Sequence, residues 1–166
     1  MANDRRNSWG FSLFCDDVRS EVGGKLSIMG LYQDDYIFQG TFPLVIPKFA
    51  IFIMYYELAS TISEDINFKV FIPSDEPEKP AFDIPFLRKD LPQPDLENLK
   101  LEEGQEPLFH TRIPVIFSPL MIKEAGQIKV RAHYSNGKIL RLGVLNIKAA
   151  SPAELVSTVN NEHEFK

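Results

Sequence analysis

Short runs in which apolar and polar residues alternate with a period of two recur along this chain between prolines and glycines, the pattern of half-buried β-strands. In the first run Trp9, Phe11, Leu13 and Cys15 share one face, read as the inward one, with Ser8, Gly10, Ser12 and Asp16 mostly opposite. A second run from Lys25 to Tyr32 puts Leu26, Ile28 and Tyr32 on one side. Lys48 to Glu57 is apolar at nearly every position and predicts a central strand covered on both faces. Ile66, Phe68, Val70 and Ile72 alternate with polar residues, as do Phe109, Thr111, Ile113, Val115 and Phe117. Pro85 lies within the short run Phe82, Ile84, Phe86 and confines that strand to an edge or a bulge.

The clearest hairpin joins Gln127–Tyr134 to Lys138–Ile147 through Ser135-Asn136-Gly137. A three-residue loop with Gly137 in the left-handed conformation pairs Ala132 with Leu140, Val130 with Leu142 and Ile128 with Val144, apolar against apolar. Lys129, Arg131 and His133 then face solvent or a partner. Seven or eight such strands predict an all-β fold: an antiparallel two-sheet β-sandwich, immunoglobulin-like or jelly-roll-like, with a closed barrel as the alternative. Ser151-Pro152-Ala153-Glu154 carries the N-cap, first-turn proline and third-position glutamate of a short C-terminal helix to about Val159.

One domain is expected over residues 1–166, since this length supports a single core. Residues 1–7 and 160–166 are expected to be flexible, and the charged, proline-rich stretch 73–107 to be an exposed connection. A net charge of −5 and the lack of a basic stripe in the linear sequence argue against nucleic-acid binding. Cys15 is the single cysteine, which excludes an intrachain disulfide and suits a reducing, cytoplasmic setting. No export signal is evident, and the apolar stretch Phe49 to Tyr56 has about half the length needed to cross a bilayer, so no membrane partner is expected.

Polar residues concentrate in Phe14-Cys15-Asp16-Asp17-Val18-Arg19-Ser20-Glu21-Val22-Gly23-Gly24-Lys25, at the turn between the first two strands. Asp16, Asp17, Arg19, Glu21, Gly23, Gly24 and Lys25 therefore form the candidate binding loop. Asp16, Asp17 and Glu21 offer hard oxygen ligands that suit Ca²⁺ or Mg²⁺, although the spacing is not that of a twelve-residue calcium loop. On the structural alternative these carboxylates pair with Arg19 and Lys25, and the glycines supply positive φ. Cys15 reads as a small buried hydrophobe with no histidine nearby to activate it. His110 and His133 point outward and could share a metal only if their strands were neighbours, while His163 lies in the tail.

The stretch Phe14 to Tyr32, FCDDVRSEVGGKLSIMGLY, resembles the N-terminal signature of a family of uncharacterised small bacterial and phage proteins, a domain of unknown function. Pro47-Lys48-Phe49 at the head of a strand is similar as well. The resemblance covers the first third of the chain and implies a β-rich cytosolic protein of bacterial or phage origin, with no catalytic residues attached.

No nucleophile elbow, phosphate loop, dinucleotide fingerprint or His-Glu-x-x-His pair occurs, so no catalytic residue and no cofactor is assigned. The reading is a non-enzymatic protein-interaction module that binds a protein partner or itself. Two alternatives stand: a divalent-metal-dependent binder or enzyme built on Asp16, Asp17 and Glu21, and a small-ligand or carbohydrate binder using Tyr55, Tyr56, Phe71 and Tyr134 on a sheet face.

Overall fold

The ten-residue run Phe49–Leu58 forms the middle strand of a three-stranded sheet, buried on both faces over Phe49 to Ile53 and half-buried on its outer face at Met54, Tyr56 and Leu58. The computed structural model describes residues 7–90, 100–102 and 104–150. Strands in chain order are β1 (Ser8–Cys15), β2 (Asp17–Ser20), β3 (Leu26–Met29), β4 (Asp35–Phe38), β5 (Leu44–Ile46) and β6 (Phe49–Leu58). Then come β7 (Ile66–Phe71), β8 (Phe82–Phe86), β9 (Leu108–Phe117), β10 (Leu120–Ile122), β11 (Gly126–Tyr134) and β12 (Ile139–Ala149). The fold is all-β. The expected C-terminal helix, both termini, residues 91–99 and residue 103 lie outside the described residues.

β6 pairs antiparallel with β1 and β9 to make the three-stranded sheet. A five-stranded sheet runs β4-β12-β11-β7-β8, antiparallel except for β12 and β4, which are parallel. Two-stranded ribbons, β2–β3 and β5–β10, complete the sheets. Phe14, Phe49, Ile51, Ile53, Tyr55 and Val115 from the smaller sheet share one core with Ile66, Phe68, Val70, Ile128, Val130, Leu142, Leu145 and Ile147 from the larger. Ile46, Leu120 and Ile122 of the β5–β10 ribbon join them. At one side Phe82 meets Phe117 and Phe86 meets Phe109, with ring centroids 6.2 and 5.9 Å apart, linking the edge strands β8 and β9. Pro85 does sit on an edge strand.

Two expectations need correction. In β1 the faces are reversed: Ser8, Gly10, Ser12 and Phe14 turn toward the five-stranded sheet, and Trp9 and Phe11 turn out to solvent, 36% and 44% exposed. The cause is close packing of β1 on β12, because a Cβ on Gly10 would lie 2.7 Å from Leu142 Cδ2 and one on Gly143 3.1 Å from Ser12 Cβ. Small residues face inward there because nothing larger fits.

The second correction concerns the β11–β12 hairpin. Its tip is as expected: Gly137 has φ +86°, and Ala132 pairs with Leu140. Beyond it, a bulge between Val130 and Arg131 shifts the register, so Val130 faces Gly143 and Ile128 faces Leu145. The bulge lets β12 bury Leu142 and then Leu145 and Ile147, whose spacing no unbroken alternation could place on one face.

Candidate functional site

After β1 the chain folds back over the outer face of its own sheet. Asp16 N–H donates to Met29 O at 3.0 Å, tying the root of the β2–β3 hairpin, and Glu21 N–H donates to Lys25 O at 2.8 Å below the tip. Gly23 and Gly24 turn the chain at φ +80° and +73°, values that residues with a Cβ rarely adopt. Val22 at this tip is 96% exposed. The hairpin's inner side lays Val18 and Ile28 on Cys15, Ala50, Phe52 and Leu13, a second apolar cluster behind the main core. Cys15 is fully buried, its thiol directed at Ala50 O, and burial pushes its pKa up.

The candidate loop residues therefore separate into three groups. Asp17 is buried and forms ion pairs with Lys48 at 2.6 Å and Arg19 at 2.7 Å. These two partners hold its carboxyl down at about 2, Lys48 contributing most. Lys48 takes the role expected of Lys25. Asp16 turns instead to accept a hydrogen bond from the Tyr32 hydroxyl and packs over Gly30, leaving no room for a Cβ there. Glu21, Gly23, Gly24 and Lys25 stand exposed at the tip, away from Asp17. Among the described residues no three His, Cys, Asp or Glu side chains form a metal-holding group.

The hairpin covers only one half of the sheet's outer face. Register places Leu13 beside Phe52 and Cys15 beside Ala50 beneath it. Among the described residues nothing lies over the other half. There Trp9, Tyr56 and His110 lie abreast on β1, β6 and β9, and Phe11, Met54 and Arg112 form the next rung. The Trp9 and Tyr56 rings stack at 5.6 Å with 10° between planes, and Tyr56 stacks on His110 at 6.3 Å. The Arg112 guanidinium lies 3.3 Å from His110 Nε2. Because the ring faces are spent on one another, the ladder presents ring edges rather than a flat platform. Leu108 extends the exposed apolar surface along β9, while Ile116, beside Ala50, is exposed at the hairpin end of the same strand.

Behind this ladder, on the core side of β6, lies a polar network that the linear sequence does not reveal, because its members are scattered from Ser8 to Lys138. The Tyr55 hydroxyl donates to Glu57 Oε2 at 2.9 Å and lies 2.9 Å from the Tyr134 hydroxyl, which donates to Ser8 Oγ at 2.8 Å. Glu57 pairs with Arg88 at 3.1 Å, and Lys138 caps the Tyr134 ring at 4.9 Å. An unpaired buried hydroxyl costs about 1–3 kcal/mol, so these bonds are what allow two tyrosines into the core. Burial raises the Glu57 pKa, against the opposing pull of Tyr55 and Arg88.

The four aromatic residues expected to share a face do not. Tyr55 and Tyr134 are buried in the core, Tyr56 belongs to the outer ladder, and Phe71 stands on the outer side of the other sheet, 6.1 Å from His133. His110 and His133 occupy different sheets, so their strands are not neighbours. Trp9 and Phe11, the residues that make the open half distinctive, were legible as large apolar residues but were assigned inward. Among the described residues no helix is long and apolar enough to cross a membrane.

The model of a protein family described only as of unknown function matches residues 10–144, which include the hairpin and both halves of the face except Trp9. No curated protein and no solved structure matches the chain.

Proposed function

The chain belongs to DUF6941, a family of unknown function, and from that premise we propose that it works as a non-enzymatic protein-interaction module. On this reading residues 1–166 act as one domain, a two-sheet β-sandwich, in the cytoplasm of a bacterium or of a phage-infected cell. The setting is supported by the lone buried Cys15 and by the resemblance of Phe14 to Tyr32 to small bacterial and phage proteins.

One observation carries the proposal: the outer face of the three-stranded sheet is apolar at both ends, yet the protein's own hairpin covers one end only. Large side chains left in water on a sheet face mark an interaction surface when they are contiguous. Trp9, Phe11 and Tyr56 are contiguous across two paired strands, and Met54 joins them to the covered half. Aromatic residues, Met and Arg are the types enriched in docking surfaces. The ionisable residues on the two open rungs are His110 and Arg112, with no carboxylate among them, so the partner is a protein segment with an apolar centre and carboxylates at its edge. The exposed tip of the β2–β3 hairpin, with Val22 between Glu21 and Gly23, is a second contact point for the same partner.

Site-specific photo-crosslinking tests this. p-Benzoylphenylalanine placed at Phe11 is expected to give a discrete protein adduct in cells, absent when the probe sits at Val144 on the other sheet and lost on Trp9→Ser. Absence of an adduct, or the same adducts from both positions, would contradict the proposal.

A further inference from the structure

The outer side of the five-stranded sheet carries a different surface, and it concerns charge. Register sets Lys69, Arg131 and Arg141 abreast on β7, β11 and β12, with Lys129 and His133 flanking Arg131 along β11. A chain with net charge −5 thus gathers four cations and a histidine on one face. The linear sequence showed no basic stripe because these residues come from three strands. Like charges directly opposite in a sheet are destabilising. Lys69 is answered by Asp83 at 3.4 Å on β8. Among the described residues no carboxylate forms an ion pair with Lys129, Arg131 or Arg141.

Arg131 is also held in place. Its Nη1 donates to Val130 O at 2.8 Å and to Gly143 O at 3.3 Å, the two residues at the bulge, so the bulge that redirects β12 also positions the guanidinium. Burial and the neighbouring Arg141 both disfavour its charged form. The same faces of Lys129, Arg131 and His133 line a cleft of about 450 Å³, within the size range of small-molecule sites. Phe71, Ile72, Pro73 and Ile139 give it an apolar wall, and Ser74 and Gln127 add polar groups. Asp75 also borders it, but its Oδ2 accepts hydrogen bonds from Ile72 N–H and Ala81 N–H, both at 2.9 Å, and so shapes the wall. Glu124 stands exposed at the rim.

We propose that this cleft binds a small organic phosphate, its phosphate groups on Lys129 and Arg131, with Arg141 adding positive field from beside Arg131 outside the lining, and its apolar or planar body against Phe71 and Ile139. A multiply charged anion is required because a single carboxylate would leave most of the gathered charge unanswered, and the Arg fork matches phosphate oxygens two at a time. The site is independent of the aromatic ladder, which lies on the other sheet.

Titration calorimetry with ADP, pyrophosphate and citrate tests the assignment, with the variant Lys129→Gln as control. Lys129 is exposed, so the variant is expected to melt no lower than wild type. ADP should bind at least tenfold more tightly than pyrophosphate or citrate, weaken as salt is raised, and lose at least tenfold in the variant. No ADP binding at millimolar concentration, equal affinity for ADP and pyrophosphate, citrate binding as tight as ADP, or ADP affinity unchanged in the variant would each overturn it. A poly-glutamate peptide that bound where ADP did not would also overturn it and make the cleft a peptide site.

Discussion

The two halves of one sheet face differ in a single respect. Leu13, Cys15, Ala50 and Phe52 lie beneath a hairpin that the chain itself supplies, with Met54 packed at its margin, while Trp9, Phe11 and Tyr56, on the same strands a few residues away, lie beyond it. In the covered half the cover is fixed by charge as well as by packing, since Asp17 at the hairpin's root holds Lys48 at the head of the very strand it covers. In the open half the side chains cover one another by stacking. The comparison teaches that apolar character on this face is not evidence for core. What separates core from docking surface is whether a second layer reaches it.

The largest expected effect comes from emptying the covered half. Phe52→Ala removes a ring that is 4% exposed and should cost about 3–5 kcal/mol in chemical denaturation. A cost below about 1 kcal/mol would mean the hairpin does not seal this half. Next is Gly10→Ala, on the inner side of the strand that carries Trp9 and Phe11. The new methyl meets Met54 O at 2.5 Å and Leu142 Cδ2 at 2.7 Å, and overpacking of this kind should cost about 1–3 kcal/mol. A neutral result would show that β1 and β12 can separate easily.

Asp17→Asn sharpens the comparison through pH. The folded pKa of Asp17, about 2, lies below the ordinary 3.8, so its contribution is fully present above about 4 and is lost as pH falls toward 2. The variant should therefore be less stable than wild type at pH 7, with faster amide exchange in β2 and β3, and the two should converge near pH 2. A gap that persists at pH 2 would point to packing rather than charge. The smallest effect belongs to the open half: Phe11→Ser should change stability by less than about 1 kcal/mol while weakening partner capture. A large loss of stability there would place Phe11 in the core after all.

Much of the fold was legible because its strongest signals are local. β6 declared itself by unbroken apolar character, β7 by alternation, and the β11–β12 turn by Gly137. The inward face of β1 was not legible. Alternation shows which residues share a face, but which face meets the core depends on how near a distant strand approaches, and here β12 comes too close for large side chains. The bulge between Val130 and Arg131 escaped for a similar reason, since the alternation of β11 is unbroken there and only the odd spacing from Leu142 to Leu145 on β12 marks it. At the candidate site, the pairing of Asp17 with Arg19 could be read from neighbours in sequence, whereas Lys48, the Trp9–Tyr56–His110 ladder and the Glu57 network could not, because sheet register alone brings their members together.

The most direct measurement is oxidative footprinting of Trp9 and Phe11, performed on the purified protein and again in intact cells. The account predicts that both are modified readily in the purified protein and protected in cells, with Leu13 and Phe52 protected in both. Equal modification of Trp9 and Phe11 in the two settings would contradict the claim that the open half of this face is where a partner binds.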